Sequence, residues 1–222
     1  MIQPRAHNPV GVSLTPTRAE ALARLLASSD AVVIEDDHAG DISSSPPISL
    51  GAYLPDRTVH IRSFSKSHGP DLRLAAVGGA FEPVTGLVSR RMLGPGWSSR
   101  LLQLVLVELM RDQVSLDALA AARDTYAERR RRLTAALHER GVTTTGTDGI
   151  NVWVGVADER RALLTLAARG IGAAPGEPFM VKPSATQHLR VTISAVRDGF
   201  DLLADDLALA AQGGRVAGPS RR

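Results

Sequence analysis

Two lysines, Lys66 and Lys182, stand among 24 arginines in this chain of 222 residues. Lys66 closes the run Ser63-Phe64-Ser65-Lys66, where a predicted strand passes into a loop. Arginine serves a surface charge as well as lysine does, but it cannot lose its proton and condense with a carbonyl. Lysine can, because its amine pKa falls on burial or beside another cation. Lys66 is therefore a candidate Schiff-base former, although a lone loop lysine is ordinarily a solvated charge. Three further features accompany it. Asn8-Pro9-Val10-Gly11 has the composition of a turn. Glu35-Asp36-Asp37-His38 ends an apolar run, either as strand-end carboxylates or as caps for a following helix. Arg190 opens Val191-Thr192-Ile193-Ser194, where an ordinary strand-edge arginine is the plain alternative. Each is weak alone. Their order and their placement at predicted strand ends argue for one site.

The elements that must hold these residues read as follows. Thr15 and Pro16 suit the N-cap and first position of a helix whose apolar face is Leu22, Leu25 and Leu26. Ala31 to Ile34 and Val59 to Phe64 are short apolar runs with polar ends, as in buried parallel strands. Leu74 to Ala80 is a third strand, and the Ser/Pro/Gly-rich loop 40–57 is expected on the surface. Helix patterns follow over Arg100 to Arg111 and over Leu116 to Arg140, the second stopped by Gly141 as a connecting helix would be. Then come a strand at Ile150 to Val156, a helix at Asp158 to Arg169, a strand at His188 to Ser194 and a helix at Arg197 to Ala211. The tail Gly213 to Arg222 is expected to fray. Alternating helix and strand imply an α/β sheet with chemistry at the carboxyl ends of its strands. The division expected is a larger domain over 1–112, and a long helix with a smaller α+β domain over 113–222.

Composition narrows the class. Hydrophobic residues make up 44% and charged residues 22%, as in a globular protein. Cysteine is absent, which excludes disulfides and thiolate metal sites and makes the cytoplasm the default setting; no metal site is expected. No stretch approaches the roughly 20 apolar residues that span a bilayer, and the first residues are not a signal peptide. The net charge is only +3. The basic run Arg129 to Arg132 points around more than a full helical turn, so a solvated helix surface is expected, not a phosphate-tracking stripe.

With these motifs in order, the chain resembles the class I/II aminotransferases that use pyridoxal 5'-phosphate, the fold-type I enzymes. The matching residues are Asn8-Pro9-x-Gly11, the run into Glu35-Asp36-Asp37, Ser63-x-Ser65-Lys66 with Arg73, Gly149-Ile150-Asn151-Val152-Trp153, Pro175-Gly176 and Leu189-Arg190-Val191. Arg5-Ala6-His7-Asn8-Pro9 looks most like the branch holding aminoadipate-type aminotransferases and MocR-type regulators. The latter fuse a winged-helix DNA-binding domain to an aminotransferase-like domain.

The resemblance implies roles. Lys66 would bind the cofactor covalently and then act as the base that moves the substrate proton. Asp36 would pair with the pyridine nitrogen and keep it protonated. Asn8 would donate to the ring's phenolic oxygen and lie against the substrate. Ser63, Ser65 and Arg73 would receive the phosphate, and Arg190 would grip the substrate carboxylate with two parallel hydrogen bonds. His38 stands where the family usually has tyrosine, and an imidazole N–H there would donate to the phenolic oxygen.

The family pattern has several strands, a phosphate-binding helix N-terminus and a ring-stacking aromatic upstream of Asn-Pro-x-Gly. This chain starts seven residues before Asn8. It is therefore expected to be the carboxyl-terminal part of a longer protein, with a half-built phosphate site, an uncovered sheet edge and exposed apolar surface. The function expected is amino-group transfer between an amino acid and a 2-oxo acid. The alternatives are the effector-sensing domain of a MocR-type regulator, whose DNA contact would lie outside this sequence, or an inactive remnant. A homodimer is the family's habit.

Overall fold

The computed structural model describes residues 1–182 and 184–213, so the expected fraying lies outside the described residues from 214 onward. The chain divides into two compact units, residues 1–7 with 13–124, and residues 8–12 with 125–222.

In the first unit, helix α1 (Pro16–Leu26) starts as expected, with Thr15 Oγ1 accepting from the Arg18 N–H. Strands β1 (Val33–Asp37), β2 (Thr58–Ser63) and β3 (Ala75–Gly79) form one sheet in that order. β1 and β2 are parallel, and β2 and β3 are antiparallel. The return from β2 to β3 is too short for the crossover that a parallel pair needs, so the third strand reverses. The apolar run near 31–34 predicted a strand that ends before its carboxylates. Instead β1 runs through Glu35, Asp36 and Asp37. Ion pairs and hydrogen bonds satisfy the buried members, which makes acidic residues tolerable inside a strand.

Ala19, Ala23, Val33 and Leu50 form the core beneath α1. Leu50 corrects the expectation that loop 40–57 is merely superficial. That segment folds into three short 3-10 turns and buries Ile42, Ser43 and Leu50. Helix α2 (Phe81–Met92) falls where the sequence analysis assigns no element. Val84, Leu87 and Val88 have helical spacing, but Pro83 and Gly86 weaken the signal. Helix α3 (Arg100–Leu109) matches the expected pattern. The expected apolar exposure is found here: β3 is exposed along its length, and Phe81, Leu93, Trp97 and Leu101 are each at least 70% exposed.

Helix α4 (Gln113–Glu139) carries the chain into the second unit. Gly141, at φ 71°, ends it, and the Val142 N–H returns to the Leu137 carbonyl. Strands β4 (Thr144–Thr145), β5 (Asn151–Val156), β6 (Ala174–Pro175) and β7 (Gln187–Thr192) form an antiparallel sheet in the order β4-β5-β7-β6. Helices α5 (Glu159–Ala167) and α6 (Phe200–Ala211) complete the unit. Leu133, Leu137, Val152, Val154, Leu166, Leu189, Val191 and Leu207 make the core. Each such side chain contributes about 1.5–3 kcal/mol on burial. By the two-residue alternation of strands, Trp153 and Arg190, which are cross-strand neighbours, lie on the face opposite this core.

The arginine run at 129–132 is not the expected solvated surface. Arg130 is 2% exposed and donates to the carbonyls of Thr145, Gly149 and Asn151. Arg129 reaches the Ser194 carbonyl, and Arg132 lies over the Phe200 ring at 4.8 Å. Arg131, tied to Glu128, and Arg132 remain exposed.

Candidate functional site

The first unit gathers its candidate residues at one edge of its sheet. Because β1 and β2 run parallel, Asp36 and His38 at the end of one and Ser63, Ser65 and Lys66 at the end of the other share that edge. β3 begins opposite Ser63, so Arg73, two residues before its start, arrives at the same edge. Gly40 at φ 55° tightens the approach: a Cβ there would lie 3.4 Å from the Ser63 carbonyl oxygen.

The pleat sorts the acidic run. Glu35 and Asp37 are buried on one face, and Asp36, between them, is half-buried and takes the other. Glu35 accepts from Ser49 Oγ and the Leu50 N–H, both at 2.7 Å, and its Oε2 lies 3.0 Å from His60 Nδ1. Arg5 pairs with Asp37 through two hydrogen bonds, and Asp37 Oδ1 also accepts from the Gly40 N–H at 3.3 Å. Neither aspartate is the N-cap of the short 3-10 turn that follows, whose N-cap is Ala39. Asp36 Oδ2 accepts from Gln3 Nε2 at 3.1 Å.

His38 lies within electrostatic range of both Lys66 and Asp36. Burial lowers its pKa below the ordinary imidazole value, and the nearby Lys66 charge lowers it further; Asp36 and Asp37 pull weakly the other way. Its Nδ1 is buried and has no hydrogen-bond partner among the described residues. Lys66 is half-buried whereas Lys182 is exposed, so the two lysines occupy different environments. Ser63 Oγ accepts from the Ser65 N–H at 3.3 Å and shapes the turn. The Ser65 hydroxyl and the Arg73 guanidinium make no hydrogen bond or ion pair with the described residues. Arg73 is held at φ 50°, a left-handed conformation that costs a non-glycine residue of order 1–3 kcal/mol. Such strain recurs where a side chain must be aimed.

The second unit brings Asn8 to Arg190. Asn8 Oδ1 accepts from Arg190 Nη1 and from Asn151 Nδ2, both at 3.2 Å, and Thr192 Oγ1 donates to Asn151 Oδ1 at 2.9 Å. The Arg190 guanidinium lies 4.8 Å from the Phe179 ring centroid, and its Nε is buried without a hydrogen-bond partner among the described residues. Gly11 lets the Asn8 segment settle. At φ 70°, a Cβ there would meet Arg130 Nη2 at 2.5 Å and the Asp148 carbonyl oxygen at 2.9 Å. Sequence reasoning assigned no role to Gln3 or Arg130 and named Arg5, Glu35 and Thr192 only as members of motifs, because their partners are mostly far along the chain.

Comparison with known proteins bears on family and fold. The sequence matches the family described as aminotransferase class I and II over residues 1–200. It is 38% identical over 211 residues to the vitamin B6 salvage pathway transcriptional repressor PtsJ of Salmonella typhimurium, covering 93% of this chain and 49% of that one. It is 30% identical over 190 residues to the transcriptional regulator TauR of Rhodobacter capsulatus, covering 78% of this chain and 38% of that one. The chain therefore spans about half the length, or less, of these curated relatives. Among solved structures, α-aminoadipate aminotransferase LysN of Thermus thermophilus superposes with a TM-score of 0.82 at 24% identity, over 96% of this chain and 58% of that one. Aspartate aminotransferase from Thermus thermophilus gives 0.82 at 21%, over 93% and 55%. At these identities the structural likeness speaks for the fold, which is the mixed α/β fold expected. Among the described residues no helix is long and apolar enough to cross a membrane. By its match over residues 1–200, this chain belongs to the aminotransferase class I and II family.

Proposed function

We propose that the chain binds pyridoxal 5'-phosphate through Lys66 and uses it in transfer of an amino group between an amino acid and a 2-oxo acid. The observation that carries this reading is the shared sheet edge at which Asp36, His38 and Lys66 meet, with Ser65 and Arg73 beside them. The donor set fits the group. A carboxylate answers a ring N–H, a half-buried amine answers an aldehyde, and an unpaired hydroxyl and guanidinium answer a phosphate. The partnerless Nδ1 of His38 and Nε of Arg190 are polar atoms that a ligand would satisfy.

In this reading the cofactor supplies an electron sink for charge developing at the substrate Cα. Asp36 holds the proton on the ring nitrogen, because an adjacent negative charge favours the protonated form. Lys66 Nζ carries the proton from and to Cα once substrate is in place. Arg190 fixes the substrate carboxylate and so orients the Cα–H bond. Asn8, whose amide oxygen accepts from Arg190, would by the family resemblance donate to the cofactor's phenolic oxygen. His38, whose pKa burial and the Lys66 charge lower, would by the family resemblance donate to the same oxygen.

To test the reading, the chain is incubated with pyridoxal 5'-phosphate, reduced with borohydride and mapped by peptide mass spectrometry. Labelling of Lys66 is expected. Labelling of Lys182, or of neither lysine, refutes the assignment.

A second reading is favoured by the relatives. Both curated proteins described above are transcriptional regulators, one of them 38% identical over nearly this whole chain. Here the same site would sense an amino compound without turning it over. Release of a 2-oxo acid from a supplied amino acid supports the transferase, whereas a bound ligand recovered unchanged supports the sensor.

A further inference from the structure

The residue that aims Asp36 comes from outside every motif. Ile2 forms a parallel bridge to Glu35, with the Ile2 N–H donating to the Ile34 carbonyl and the Asp36 N–H donating to the Ile2 carbonyl, both at 2.8 Å. Pairing Ile2 with Glu35 sets Gln3 beside Asp36. Side-by-side residues of a parallel pair project to the same face. The amide of Gln3 consequently meets the carboxylate of Asp36, at 3.1 Å. Pro4 ends the pairing, since it has no N–H to donate, and its carbonyl accepts from the Leu14 N–H at 2.7 Å. The segment is thus fixed on both sides of Gln3. Gln3 Nε2 thus donates to Oδ2 of the Asp36 carboxylate.

We propose that Gln3 is a positioning residue for the ring-nitrogen contact: its amide holds Asp36 Oδ2, fixes the plane of the carboxylate and directs Oδ1 toward a protonated pyridine nitrogen. This inference rests on the cofactor reading above. It adds a source for the carboxylate's orientation.

The test compares the wild-type chain with Gln3→Met, which keeps the length of the side chain and removes the donor, and with Gln3→Lys, which restores one. Two probes are used. One is pyridoxal 5'-phosphate, and the other is its 1-deaza analogue, which has the aldehyde and phosphate but no ring nitrogen. Gln3→Met is expected to weaken pyridoxal 5'-phosphate about tenfold, the scale of one hydrogen bond to a charged group. Its affinity for the deaza analogue and its thermal unfolding without ligand should stay at wild-type values, and Gln3→Lys should recover most of the loss. Equal weakening toward both probes would mean a general structural role and overturn the proposal, as would no weakening of either. If the wild-type chain binds neither probe, the cofactor reading itself fails and takes this inference with it. If the wild type binds and Gln3→Met is indistinguishable from it, this inference alone fails.

Discussion

Asp36 and Asp37 are neighbours on β1, yet the strand's pleat gives them opposite faces and different work. Asp37 is 2% exposed and paired to Arg5, while Asp36 is half-buried and meets Gln3. The two carboxylates therefore respond differently to the same substitution. Asp37→Ala leaves the buried Arg5 charge without its partner, an error of about 3–5 kcal/mol. Asp36→Ala leaves no buried charge unpaired and is expected to change the urea midpoint little, while removing the ring-nitrogen contact and with it most cofactor affinity. Urea denaturation and a cofactor titration of the two variants read the contrast directly.

The second unit offers a parallel test. Gly11 adopts a positive φ, and any side chain there would press on the Arg130 guanidinium and the Asp148 carbonyl. Left-handed backbone alone costs an L-residue about 1–2 kcal/mol. Gly11→Ala is expected to lose at least that much stability. Arg130→Met is expected to lose more, because three backbone carbonyls near Asn151 then lack their donor. Both changes should also loosen Asn8 and weaken substrate binding, measurable as a raised KM or ligand Kd.

Much of this was legible in the sequence, for reasons that residues make plain. Thr15-Pro16 and Gly141 mark helix ends by local chemistry, and both function as expected. Lys66 and Asp36 stand out in the sequence because strand ends and reactive groups coincide in short windows, and the parallel pairing of β1 and β2 brings their strand ends to one side. Arg130 was misread because four successive arginines look like a charged surface, and only the partners at 145, 149 and 151 reveal its burial. Gln3 and Arg5 escaped for a similar reason. Their contacts are to residues 33 and 32 positions away, and nothing in five residues of sequence reports them. The strand through Glu35-Asp36-Asp37 was cut short because a sequence pattern counts charge before it can see the pairs that neutralise it.

Stability should depend on pH through the histidines. His38, His68 and His188 all have pKa values lowered from 6.5, with burial the largest cause in each; Lys66 adds to it for His38 and Arg62 for His68. The unfolded chain, with ordinary values, binds these protons more readily than the folded chain does. The contribution is therefore complete above pH 6.5 and is lost as pH falls below it through the folded values. The urea midpoint is expected to be flat from about pH 8 down to about 6.5 and then to decline toward about 5. Replacing His38 with Gln, which does not titrate, should shallow that decline. An unchanged slope would mean that His38 titrates alike in the folded and unfolded chains.

Arg190 carries the last expectation. Its Nη1 is committed to Asn8, its flat guanidinium lies over Phe179, and its Nε is buried without a partner. A substrate carboxylate accepting from this fork would satisfy that nitrogen and remove the cost of leaving it bare. Arg190→Lys keeps the charge but replaces a rigid fork with a single rotatable ammonium. The variant should keep its fold, because Arg190 stands outside the packed core of its unit. Its affinity for an amino acid or a 2-oxo acid should fall about 10- to 100-fold, the scale of one or two charge-assisted hydrogen bonds. A simple alkylamine, which has no carboxylate, should bind as it does to the wild type. Spectral titration with both ligands separates these outcomes: equal losses for acid and amine would mean a disturbed cofactor site, and no loss for either would remove Arg190 from substrate recognition.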